Sequence, residues 1–137
     1  MKRMLMTAAM LAGGILLLAG CPGKNSEAKL ESRKLELKAR IKEYTDCFFW
    51  RDFEKAANYI VPEKRGEFFN FADRLKKGFT MEDFLVKVVE VNEAGDQAGV
   101  IVRRSYILGS SVTVQEEDFT QQWVLRDGVW YLSGPPY

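Results

Sequence analysis

The stretch Phe119-Thr120-Gln121-Gln122-Trp123-Val124-Leu125-Arg126-Asp127-Gly128-Val129-Trp130-Tyr131 decides the fold. Two apolar runs flank Arg126-Asp127-Gly128, and Asp-Gly supplies the backbone freedom that a two-residue hairpin turn requires. Alternation puts Phe119, Gln121, Trp123 and Leu125 on one face, with Glu116, Asp118, Thr120, Gln122 and Val124 on the other. The heavier apolar set points inward, so Gln121 is an inward amide that needs hydrogen-bond partners. The pattern predicts a long strand from about Val112 to Leu125 and a closing strand Val129–Leu132.

Upstream, Gly109-Ser110-Ser111 reads as a turn, and Gln97 to Leu108 as a strand. Ala98, Val100, Val102, Arg104, Tyr106 and Leu108 share one parity of that strand; Gly99, Ile101, Arg103, Ser105 and Ile107 share the other. Asn92-Glu93-Ala94-Gly95-Asp96 has turn chemistry, and the valine-rich Phe84–Val91 is the first predicted strand. Before it the period changes to that of helices. Leu30, Leu37, Ile41, Tyr44 and Phe48 recur at helical spacing from about Glu27 to Trp50. Asp52 can cap a second helix, Phe53–Ile60, which Val61-Pro62 ends. A third runs from Glu63 to Lys77 and stops at Gly78. Three helices followed by four antiparallel strands form an α+β domain whose sheet buries one face under the helices.

That order, with the closing tryptophan strand, turn and Gly128-Val129-Trp130-Tyr131, resembles the nuclear transport factor 2-like (SnoaL-like) superfamily over roughly Lys38 to Leu132. The resemblance implies N-terminal helices packed on a curved four-stranded antiparallel sheet, a cone enclosing a pocket, in a single domain spanning residues 27–137. A cystatin-like α+β domain is the alternative arrangement of the same elements.

The resemblance also directs attention to Tyr44, Trp50, Phe69, Phe71, Arg104, Gln121, Trp123 and Trp130 as lining of a ligand pocket. Two readings of these residues stand side by side. The aromatic side chains serve either as packing or as the wall of a cavity for an apolar ligand. Arg104 is either an inward anion anchor, paired with Asp46 or Asp118, or a solvated cation on a sheet whose other parity is buried. Glu116-Glu117-Asp118 reads as a solvated strand segment.

Members of the superfamily that isomerise or dehydrate use Asp, His and Tyr in the cavity. This chain has no His and only 2 Cys, which excludes histidine-based nucleophilic triads and leaves no zinc site of common composition. The expectation is a protein without cofactor or metal, and a lyase or isomerase is the weakest of the functional readings.

The N-terminus carries its own signal. Lys2 and Arg3 precede an apolar stretch from Met4 to Gly20, as in an export leader. Leu18-Ala19-Gly20-Cys21 resembles the lipobox of bacterial lipoproteins, which implies removal of residues 1–20 and acylation of Cys21, with residues 21–26 as lipidated cysteine and short tether. Membrane lipid is then a partner, and each buried CH₂ of the chains contributes about 0.8 kcal/mol. Pro22 stands where that family's inner-membrane retention signal has aspartate, so the implied location is the cell envelope, on the periplasmic face of the outer membrane in a host with two membranes. With Cys21 acylated, Cys47 has no disulfide partner in the chain and reads as a small buried hydrophobe. The 20 Lys and Arg lose Lys2 and Arg3 with the leader and face 19 Asp and Glu, a balance giving no electrostatic reason to bind nucleic acid.

The sequence therefore favours a membrane-anchored envelope lipoprotein carrying a noncatalytic binding or protein-interaction domain. The alternative is a pocket protein for an amphipathic or anionic compound. A homodimer through a sheet face carrying Val89, Val91, Ile101 and Ile107 is a further expectation.

Overall fold

The computed structural model describes residues 23–137. The expected leader and Cys21 lie outside the described residues. Helix α1 spans Gly23–Phe49, and Leu37, Ile41, Tyr44 and Phe48 form its buried stripe. It starts before the predicted Glu27, so residues 23–26, read as tether, are helical. No helix among the described residues is long and apolar enough to cross a membrane.

The end of α1 is set by backbone geometry. Arg51 takes a left-handed φ of 61°, Arg51 N–H donates to the Phe48 carbonyl, and Asp52 N–H donates to that of Cys47. These bonds satisfy carbonyls the helix would leave open. Asp52 then caps α2 (Phe53–Ala56), accepting from the Lys55 N–H at 3.1 Å, as the sequence indicates. The predicted second helix tightens after Ala56 into a 3₁₀ turn, Ala57–Tyr59, and a second 3₁₀ turn, Pro62–Lys64, leads into α3 (Arg65–Leu75).

The sheet is an antiparallel meander in the order β1 (Phe79–Val91), β2 (Gln97–Leu108), β3 (Gln115–Arg126), β4 (Val129–Leu132). Its concave face packs under the helices, burying Ala98, Val100, Val102, Trp123, Trp130 and Leu132 with the α1 stripe, Phe53, Ile60 and Phe68. The chain thus has the α+β architecture of helices on a curved four-stranded sheet, an NTF2-like cone.

Two strands differ from expectation. β3 begins at Gln115, because residues 109–114 form a loop in which Val112 and Val114 are exposed. β1 begins at Phe79, directly after Gly78, whose φ of 148° strains any side chain and where a Cβ would crowd the Gly109 backbone at 3.2 Å. Register shifts at Met81/Asp83 and Val86/Val88 each insert an extra residue into β1. An inserted residue exchanges the faces of everything beyond it. Phe79 and Met81, then Phe84 and Val86, then Val89 and Val91 therefore lie opposite the inward residues of β2. The expected grouping of Val89 and Val91 with Ile101 and Ile107 is corrected by the second bulge: Val89 and Val91 pack against the core, and Val88 is the neighbour of Ile101 on the convex face.

Candidate functional site

β2 and β3 pair without a bulge from Gln97↔Val124 to Tyr106↔Gln115, so alternation holds along both. Arg104 consequently faces the concave side, where its side chain is only 13% exposed. Its guanidinium lies 4.6 Å from the Phe119 ring centre and 5.7 and 5.8 Å from those of Phe79 and Tyr106. Such ring faces attract a cation, the more so when desolvated.

Neither carboxylate considered for Arg104 holds it. Asp46 pairs with Lys42 on α1, and Asp118 pairs with Arg103 and Lys87 on the convex side. The partner is Glu117, directly opposite Arg104 in the register, and Arg104 Nη1 also donates to the Tyr137 backbone oxygen at 3.0 Å. Glu117 thus corrects the reading of residues 116–118 as wholly solvated. It shares the parity of Phe119 and Gln121, a signal obscured by its two acidic neighbours.

Deeper in the cone, Gln121 is fully buried, and its Oε1 accepts from Trp123 Nε1 at 3.2 Å. Gln121 Nε2 and the Tyr44 hydroxyl are buried without a hydrogen-bond partner among the described residues. The Tyr44 ring packs edge-on to Trp123 with centroids 6.0 Å apart. Burial pushes the Tyr44 hydroxyl pKa well above the ordinary tyrosine range, against the pull of the Arg104 charge.

Of the other residues singled out by the sequence, Trp130 is buried and donates from Nε1 to the Arg33 carbonyl. Phe71 is half-buried against Phe48, Phe68 and Tyr137. Phe69 sits at the rim, partly exposed against Phe68. Trp50 does not enter the cone: it is 78% exposed, edge-on to Phe49, because it falls on the side of α1 opposite the buried stripe of Leu37, Ile41, Tyr44 and Phe48. The structure therefore brings Tyr44, Arg104, Gln121, Trp123 and Phe71 together and leaves Trp50 apart.

Two participants came from no sequence signal. Tyr137 is buried, its ring 5.2 Å from that of Phe68 and 5.4 Å from that of Phe71. Its hydroxyl pKa is pushed up to about 12 by burial and by facing Glu67. Beside the cone, a groove of about 390 Å³ opens between α1 and β1, lined by Lys38, Ile41, Lys42, Thr45, Asp46, Phe84 and Val86. Among the described residues no group of His, Cys, Asp or Glu side chains is arranged to hold a metal ion.

No family model matches the chain, and no curated protein matches it. Among solved structures, it is similar to a SEC-C motif-containing protein from Rhodopseudomonas palustris, at 16% identity over 80% of this chain and 86% of that one, with a TM-score of 0.62. A putative polyketide cyclase from Xanthomonas campestris pv. campestris shares 13% identity over 74% of this chain and 88% of its own, TM-score 0.58. A ketosteroid isomerase-like protein from Erwinia carotovora atroseptica shares 14% over 74% and 92%, TM-score 0.58. At these identities what is shared is the fold, the cone of helices on a bent antiparallel sheet.

Proposed function

We propose that this protein is a lipid-anchored envelope protein whose cone is a noncatalytic binding or interaction domain. The observation that supports it best is that the ionisable groups Arg104 and Tyr44 of the cone are, respectively, already paired and held neutral. Arg104 is engaged by Glu117 and by the Tyr137 backbone oxygen, and Tyr44 is held away from ionisation. General acid–base work needs a group whose pKa lies near the working pH and that reaches substrate. The chain contains no histidine to take that role. The anchor rests on Leu18-Ala19-Gly20-Cys21.

Mass spectrometry of the N-terminal peptide from membrane-extracted protein tests the anchor. The expected peptide begins at Cys21 and carries acyl chains; an unmodified Met1 terminus or a bare Cys21 thiol overturns it. A turnover activity abolished by Tyr44→Phe in a folded variant would overturn the noncatalytic reading.

A second reading is favoured by the unpartnered Gln121 Nε2 and Tyr44 hydroxyl. Buried polar atoms without partners cost about 1–3 kcal/mol each, and a bound amphipathic or anionic compound in the cone would satisfy them. Under either reading a second copy fits the convex sheet face, where Leu85, Val88 and Ile101 are exposed. Sedimentation of the protein should show a dimer that Ile101→Glu dissociates, and a native monomer at all concentrations removes this part.

A further inference from the structure

The segment after β4 does not leave the domain. Ser133 fastens its start, with both its N–H and its hydroxyl donating to the Gln122 carbonyl at 2.8 Å. Four residues later the Tyr137 ring is inside the helix-sheet interface, only 4% exposed, against Phe68 and Phe71 of α3. Its backbone oxygen takes a hydrogen bond from Arg104. Arg104 is the cation of the concave face, paired on one side with Glu117 and caged by Phe79, Tyr106 and Phe119, so that its Nη1 is the donor turned to the segment. The segment thus offers an aromatic ring to an aromatic wall and an acceptor oxygen to a caged guanidinium, the two features by which a small molecule would be recognised there.

We propose that Ser133–Tyr137 is a latch that occupies a binding site in the mouth of the cone, and that the site beneath takes an aryl carboxylate whose ring replaces that of Tyr137 and whose oxygens replace its acceptor on Arg104. This rests on the reading of the cone as a ligand site. The attachment is asymmetric. The Ser133 end is held by backbone pairing to β3, whereas the Tyr137 end is held by ring contacts and one hydrogen bond to a side chain. Opening therefore requires residues 135–137 to swing out while the Ser133 pairing to β3 stays intact. A latched site binds with its intrinsic affinity reduced by the fraction of molecules that are open.

The test uses the full chain and 4-fluorophenylacetate, followed by ¹⁹F NMR. Tyr137→Ala should bind the probe at least about tenfold tighter than the native protein, since it removes the ring that fills the site and leaves only the backbone oxygen to compete for Arg104. Adding Arg104→Met to Tyr137→Ala should reverse the gain, and neutral 4-fluorobenzyl alcohol should bind more weakly than the carboxylate. Should Tyr137→Ala fail to fold, Pro136→Gly loosens the segment without emptying the interface and must shift affinity in the same direction. Equal, Arg104-dependent binding by native and latch-loosened proteins overturns the latch while leaving the ligand site standing. No Arg104-dependent binding by any folded variant overturns the ligand reading itself.

Discussion

Trp130 Nε1 donates to the backbone carbonyl of Arg33 at 3.1 Å, joining positions 97 residues apart and fixing the closing strand to the first helix. Arg40, two turns further along α1, donates back to the Trp130 carbonyl at 3.1 Å while its guanidinium lies 4.2 Å from the Tyr59 ring centre. Strand, helix and the 3₁₀ turn are thus bound at one place. Trp130→Phe keeps an aromatic ring but removes the donor and part of the volume. It should cost about 1–3 kcal/mol, seen as a lower denaturant midpoint with unchanged slope.

The β3–β4 turn gives a cleaner backbone prediction. Asp127 and Gly128 have φ of 51° and 78°, and nothing stands within 4 Å of where a Gly128 Cβ would lie. A side chain there meets no neighbour, so the penalty comes from the left-handed backbone alone. Gly128→Ala should destabilise by about 1 kcal/mol, and Gly128→Asn by less, measured by thermal unfolding.

Acid should weaken the fold through two ion pairs. Arg103 and Lys87 hold the Asp118 carboxyl down to about 2, and Arg126 holds Glu63 down to about 2. Carboxyls depressed in the native state contribute stability that is complete above their unfolded values near 4 and disappears as pH falls toward 2. Both pairs are exposed, so the effect should be small and screened by salt. Side-chain carboxyl NMR titration should place both midpoints below those of the unfolded chain, and Asp118→Asn should flatten the acid limb of the stability curve.

Alkali should act through Tyr44 and Tyr137. Burial raises both hydroxyls, that of Tyr137 to about 12. The unfolded chain gives up these protons first, so stability is complete below the ordinary tyrosine value near 10 and falls as pH rises through 12. Ultraviolet titration of the 5 tyrosines should show these two ionising late, together with Tyr59, whose hydroxyl burial and Glu43 also raise, and Tyr44→Phe should delay alkaline unfolding.

The inward placement of Gln121 and Trp123 was legible in the sequence because β3 alternates without interruption; Arg104, which the sequence left open between inward and solvated, is decided by the unbroken pairing of β2 with β3. β1 was not legible in the same way, since two bulges reset its alternation and no residue type marks them. Glu117 was hidden between Glu116 and Asp118, although its parity with Gln121 was visible. Trp50 lies outside the cone because the helical period that marks Leu37, Ile41, Tyr44 and Phe48 as inward puts position 50 on the opposite face, and its size alone suggested a pocket wall. Tyr137 could not be found by periodicity at all, because its position depends on where a short segment lies against α3 and on a hydrogen bond from a residue 33 positions away.

The breaks in the first strand also govern what neighbouring molecules can do. β1 is long and borders the sheet, with Leu85, Val86 and Val88 uncovered, a profile that invites fibril growth. Its pairing frame nonetheless restarts at Asp83 and again at Val88, so no run of more than four residues keeps one phase. An invading chain would find each foothold too brief to extend, which leaves this border greasy yet poorly templating.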